Sequence, residues 1–206
     1  MRISSLSYLL LAAGVASSAL SACDSTRQVA TTESSSSPLP STPAIDEGDV
    51  TFSQDVTQGE YRFQVKTFGS EASRVISIRS YRGSSLTTDP IRTSVMGAVT
   101  SAMAADMNGN GKPELYVMTD NKKANGGLYG FEFTERGYAP ISMPGTPAGE
   151  PGSGYMGQDT YQISGNKLMR TFPITPADGS ASTGSRTVEY TLDGTGKLVM
   201  GQSMDR

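Results

Sequence analysis

Tyr61, Phe63 and Val65 alternate with Arg62, Gln64 and Lys66 in the stretch EYRFQVKTF. A period of two places successive side chains on opposite faces, so this stretch predicts a strand with one wet face. RVISIRSY repeats the pattern, with Val75 beside Arg74 and Ile78 beside Arg79. The runs ELYVM, GLYGFEF, TYQIS, KLMRTFPI, RTVEYTL and KLVMGQ predict further short strands. Turn signals separate them: Gly69-Ser70, Asp89-Pro90, Asn108-Gly109, Gly165-Asn166 and Asp193-Gly194. SVMGAVTSAMAADM spaces Val95, Val99 and Met103 as a helix turn would, but Gly97 and the β-branched residues favour a strand. The pattern predicts an all-β domain over 51–206, a single antiparallel β-sandwich of about eight strands.

Upstream the pattern changes twice. Arg2 precedes the apolar stretch LSYLLLAAGVASSAL, which is too short for an ordinary transmembrane helix and suits a signal-peptide core. It ends at Leu20-Ser21-Ala22-Cys23, which resembles the bacterial lipobox. The resemblance implies cleavage before Cys23, a diacylglyceryl thioether on its sulfur and an acylated amino terminus. Residues 1–22 are then a lipoprotein signal peptide, and the mature chain is held on a membrane of the cell envelope, facing periplasm or exterior. The segment 23–50 follows as a lipidated linker rich in Ser, Thr and Pro. It lacks aromatic residues and apolar periodicity, so it buries too little surface to offset the entropy of ordering and is expected to be a disordered tether.

Composition narrows the chemistry. The 206-residue chain contains no histidine, no tryptophan and one cysteine. Without histidine there is no Ser-His-Asp or Cys-His catalysis and no histidine-ligated zinc, and lipidation of Cys23 removes the thiol. The chain is therefore expected not to be an enzyme and to require no cofactor. Its formal net charge of −3 and scattered basic residues give no nucleic-acid footprint.

Three stretches have the spacing of chemical motifs. Gly152, Gly154 and Gly157 have dinucleotide-fingerprint spacing, but prolines precede them and QDTYQIS follows where a helix is needed. Ser164 and Lys167 have an S-x-x-K spacing, but ISGNKL reads as a hairpin turn. ADMNGNGKPELYVM is richer. Asp106, Asn108 and Asn110 alternate as oxygen ligands would, Gly111 permits a bend and Glu114 follows. An EF-hand would need an acid where Val117 stands. The spacing resembles instead the D-x-D-x-D-G-x-x-D loops between strands of propeller-type repeat proteins. Only Asp106 and Glu114 are charged, so any Ca2+ site is expected to be weak. A turn whose Asn and Asp side chains bond their own backbone is the favoured reading.

ADMNGNGKPELYVM, GLYGFEF, GYMGQD, LMRTFPI and STGSRTVEYTL, in this order, resemble the periplasmic inhibitors of invertebrate-type lysozyme and their lipoprotein relatives. The resemblance spans about Tyr61 to Leu192. It implies an antiparallel β-sandwich, often a homodimer, that plugs a muramidase cleft with a loop. Where that family carries Ser-Gly-x-Tyr, this chain has Lys122-Lys123-Ala124-Asn125, and the similar string Ser153-Gly154-Tyr155 lies in a later loop. Lys122, Lys123, Asn125, Ser153 and Tyr155 are the expected partner contacts. Lys122 and Lys123 are either cations for the carboxylates of a lysozyme cleft or a solvated loop tip. Tyr155 is either an exposed anchor or packed on its own sheet. The alternative function is an envelope lipoprotein of the same fold with an unrelated protein or glycan partner.

Overall fold

Among the described residues, thirteen strands follow one another in the order of the chain and form three antiparallel sheets. The computed structural model describes residues 50–70, 73–120, 127–135, 137–176, 180 and 184–206. They belong to a compact unit spanning Pro40–Arg206. The signal peptide, Cys23 and the expected tether up to residue 49 lie outside the described residues, whereas Val50, expected as the tether's last residue, opens the first strand.

The first sheet runs β1 (Val50–Gln58), β2 (Tyr61–Phe68), β3 (Arg74–Arg82) and β4 (Ser85–Leu86), with β5 (Ile91–Val95) also paired to β3. The central sheet is the meander β6 (Ala98–Ala105), β7 (Glu114–Asp120), β8 (Gly127–Thr134) and β9 (Gly137–Ile141). The third is the meander β10 (Thr160–Ser164), β11 (Lys167–Ile174), β12 (Gly184–Leu192) and β13 (Leu198–Asp205). The all-β antiparallel class is the one expected. The strand count is larger than about eight because the central sheet is covered on both faces, making two sheet-on-sheet interfaces.

Residue parity builds those interfaces. In the central sheet Leu115 pairs with Phe131 and Val117 with Tyr129, so these side chains share a face. They meet Phe63, Val65, Ile76, Ile78 and Ile91 of the first sheet in one core cluster. The opposite face carries Tyr116, Leu128 and Ile141, packed with Leu168, Phe172, Val188 and Tyr190 of the third sheet. Sealing both faces explains why ELYVM reads as a continuous apolar run. Each fully buried aliphatic side chain contributes about 1.5–3 kcal/mol of transfer free energy. Close packing of the second interface uses a missing side chain, since a Cβ at Gly130 would lie 2.6 Å from Met143 Cε and 3.2 Å from Tyr116 Cδ1.

β2 matches its alternation, with Phe63, Val65 and Thr67 buried. β3 departs from it. Arg74, expected on a wet face, is buried, and its guanidinium donates to the Gly97 carbonyl in the β5–β6 turn. SVMGAVTSAMAADM is strand on both sides of that turn, as expected. The first and central sheets are also tied at their edges, where the Gln54 side chain donates to the Ala102 carbonyl (3.1 Å) and accepts from its N–H (2.9 Å). Among the described residues no helix is long and apolar enough to cross a membrane.

Candidate functional site

The turn between β6 and β7 is built by its own side chains. Asp106 accepts the N–H of Asn110 on Oδ1 and that of Gly111 on Oδ2, both at 3.0 Å. Asn108 Oδ1 accepts the same Asn110 N–H at 3.1 Å, and Asn110 Oδ1 accepts from Lys112 N–H at 2.7 Å. Gly109 and Gly111 take the positive φ angles the reversal requires. This is the self-bonded Asx turn that the sequence favoured.

Three of the candidate ligands, Asp106, Asn108 and Asn110, thus converge on one turn. Glu114 is different. It opens β7 and is fully buried, with Oε2 accepting the Met107 N–H at 2.7 Å and Oε1 without a partner. Burial pushes its carboxyl up to about 7 against the lowering effect of the Met107 N–H, and the charges of Asp106 and Glu132 push the same way as burial. Directly across the β7–β8 ladder stands Glu132, a carboxylate opposite a carboxylate. Glu132 Oε2 accepts from Asn108 Nδ2 (3.2 Å) and Asn110 Nδ2 (3.0 Å), while Lys112 Nζ lies 3.9 Å from its Oε1. Tyr116, next on the same face of β7, is fully buried with its hydroxyl unpartnered. Burial raises its phenol far above the usual range.

Glu132 escaped the sequence reading because only the strand register brings it to the turn. No group of three or more acidic, histidine or cysteine side chains among the described residues is arranged to hold a metal ion. Any cation here would therefore rely on amide and backbone oxygens beside the carboxylates.

The turn also walls a groove of about 830 Å³ at the end of the first and central sheets. Across it Arg82 pairs with Glu60 at 2.8 Å and Glu135 at 3.5 Å, and its guanidinium lies 5.9 Å from the Tyr61 ring centroid. Asp106, Asn110 and Lys112 form the facing wall. Charged groups thus rim a lining that is otherwise largely apolar, with the Tyr61 ring among it.

The remaining sites lie elsewhere. Tyr155 turns inward, its ring edge-on to Phe172 with centroids 4.8 Å apart. Its hydroxyl donates to Asp159 Oδ2 at 2.6 Å and accepts from Arg170 Nη2 at 2.8 Å. Burial and the Asp159 acceptor push the phenol up to about 12. Arg170 also donates to Asp159 Oδ1 and the Gly145 carbonyl, each at 2.7 Å. Burial works against the Arg170 charge, and Asp159 together with Tyr161 and Tyr155 more than offsets it. Tyr155 therefore packs on its own sheet, and Ser153 is exposed beside it. Lys122, Lys123 and Asn125 lie outside the described residues, in the connection that leaves β7 and enters β8 beside the Thr119–Gly127 pair. Ser164 and Lys167 pair across the β10–β11 hairpin, and Lys167 bonds Glu189. The glycine-rich loop leads to β10, where a nucleotide-binding loop needs a helix.

No family model matches the sequence, and no curated protein matches it. Among solved structures, the chain is similar to the acylaminoacyl peptidase of Pyrococcus horikoshii, with 10% identity and a TM-score of 0.39. The likeness covers 76% of this chain and 25% of that one, so this chain spans about a quarter of that chain's length. A likeness that remote carries no inference about activity.

Proposed function

We propose that this chain is a lipid-anchored protein of the bacterial cell envelope that binds a lysozyme-type muramidase and occludes its active site, with no chemistry of its own. The observation that carries this reading is where the chain between β7 and β8, which in sequence includes Lys122 and Lys123, leaves and re-enters the central sheet. β7 and β8 pair as far as Thr119 and Gly127, and they are the two middle strands of a sheet buried on both faces. A recognition loop gains most from such a rigid base. A muramidase cleft holds two carboxylates, which suit ammonium groups through charge-assisted hydrogen bonds. The absence of histidine agrees with steric occlusion in place of catalysis. Cys23 supplies the membrane anchor, and acyl chains contributing about 0.8 kcal/mol per buried methylene hold the protein at the envelope surface.

Inhibition is tested by titrating the full-length protein, purified in detergent, against chicken-, goose- and invertebrate-type lysozymes and following peptidoglycan lysis. Inhibition of one class at nanomolar to micromolar concentration, weakened at least tenfold by Lys122→Ala with Lys123→Ala, supports occlusion. No inhibition at tens of micromolar overturns it. The anchor is tested separately. Cys23→Ala moves the protein from the membrane to the soluble fraction, and mass spectrometry finds no acylated amino-terminal peptide.

A second reading rests on the groove beside Tyr61. Its Arg82, Glu60 and Glu135 side chains and one aromatic ring suit a polar glycan or peptide partner, which is the expected result should lysozyme not be inhibited.

A further inference from the structure

Four features of the β6–β7 turn have no explanation in lysozyme binding. Glu114 carries a carboxylate oxygen that is fully buried and unpartnered, although native structures rarely leave such an oxygen unsatisfied. No ion pair reaches Glu114 among the described residues, while its cross-strand neighbour is another carboxylate, Glu132. Asp106 brings a third negative group to the same turn and adds to the charge acting on Glu114. Lys112, the cation beside Glu132, is half exposed and 3.9 Å away.

The fourth feature is the orientation of the amides. Both Asn108 and Asn110 direct Nδ2 at Glu132 Oε2, so their Oδ1 atoms face away from it. Asn108 Oδ1 meets Asp106 Oδ1 on a single N–H, that of Asn110, which makes these two oxygens neighbours. Glu132 therefore does what an outer carboxylate does around a metal: it fixes which atom its neighbours present. The atoms presented are oxygens, with no nitrogen or sulfur among them. Such a set suits a hard cation, and the shortage of full charges suits a large, adaptable ion better than one demanding an octahedron.

We propose that the β6–β7 turn is a Ca2+ site of low affinity, ligated by Asp106, Asn108, Asn110 and the free Oε1 of Glu114, with Glu132 holding the two amides in place. Binding gives the buried carboxylate a partner and relieves the carboxylate-to-carboxylate contact across β7 and β8. It fixes the wall of the groove that faces Arg82 and Tyr61. With two charged ligands, affinity falls in the range of low-charge extracellular modules, about 10⁻⁴–10⁻³ M.

The test uses the full-length protein in detergent, stripped with EGTA and dialysed into metal-free buffer. Ca2+ is titrated at constant ionic strength while thermal unfolding is followed by far-UV circular dichroism, with isothermal calorimetry on the same samples. A saturable rise in Tm of about 3–6 °C at tenfold excess over Kd is expected. Mg2+ at equal concentration gives a much smaller rise. Asp106→Asn and Asn108→Ala weaken binding at least tenfold by calorimetry below Tm, and each is read against its own EGTA-state Tm because both side chains also accept backbone N–H groups of the turn. Glu114→Gln abolishes the rise, whatever its effect on the metal-free protein. No Tm change and no heat up to 10 mM Ca2+ overturns the proposal. A rise of equal size with Mg2+, or one kept in Asp106→Asn, overturns it too, since either marks general screening.

Discussion

Removing the Asp159 carboxylate should destabilise the third sheet more than any surface change. Arg170 and Asp159 are 4% and 0% exposed at the side chain, and their 2.7 Å contact is the most buried ion pair among the described residues. Asp159→Ala leaves the guanidinium without an acceptor for Nε and takes from the Tyr155 hydroxyl the oxygen it donates to. Breaking a buried pair from one side costs about 3–5 kcal/mol, because an uncompensated charge stays behind. In a domain of this size that lowers Tm by about 6–20 °C. Arg170→Met should cost a similar amount. The triple variant Asp159→Leu, Arg170→Met, Tyr155→Phe removes every strongly polar member at once. The Gly145 carbonyl then turns to water, because Gly145 is exposed. Its cost should be at most about 2 kcal/mol, well below the sum of the singles. Urea denaturation at pH 7, read by far-UV circular dichroism and tyrosine fluorescence in EGTA, measures all three. A single-variant loss under 1 kcal/mol, or a triple cost equal to the sum, would refute the argument that desolvated charge dominates there.

Other consequences are simpler. Leu115→Ala opens a cavity between the first and central sheets and should cost about 2–5 kcal/mol by urea denaturation, whereas Val199→Ala, 45% exposed, should stay within about 0.5. Gly154→Ala places a methyl 2.6 Å from the Thr175 carbonyl at φ +75°, and should lose about 1–3 kcal/mol and open the loop before β10 to limited proteolysis. Arg186 holds the Asp205 carboxyl below its ordinary 3.8. A depressed folded value means the pair contributes fully above that pH and is lost as pH falls through the folded value. Carboxyl NMR should show Asp205 titrating below 3.8 in the native protein and close to 3.8 in Arg186→Ala. Hydrogen exchange at the end of β13 should rise in the acid while β7 stays protected.

Where one face of a strand is wet, the sequence carried the fold. β2 could be placed by its alternation because Lys66 and Gln64 mark the outside as clearly as Phe63 and Val65 mark the core. β7 has no outside, so ELYVM announces a strand and says nothing of the two layers that cover it. The edge strands β1 and β9 went unnamed for the opposite reason. VTFSQDVTQ and GYAPI carry too little apolar signal to stand out, and Pro140 suits an edge position that needs no donor. Arg74 defeats alternation because its partner, the Gly97 carbonyl, is supplied by a turn far along the chain. The same limit governs the candidate site. Spacing singled out Asp106, Asn108, Asn110 and Glu114 as candidates, yet the place of Glu132 depends on register, a relation between strands that no single stretch contains.

Each sheet is made of consecutive strands, and the middle one has no side of its own to show to water. Hairpins can therefore assemble locally as the chain lengthens, but the central meander is complete long before its second cover arrives. Until β11 and β12 close over Tyr116, Leu128 and Ile141, that face is an adhesive surface. A chain cut short after β9 would be a trap for its own neighbours, and the order of emergence makes the last third of the sequence the guardian of the middle third.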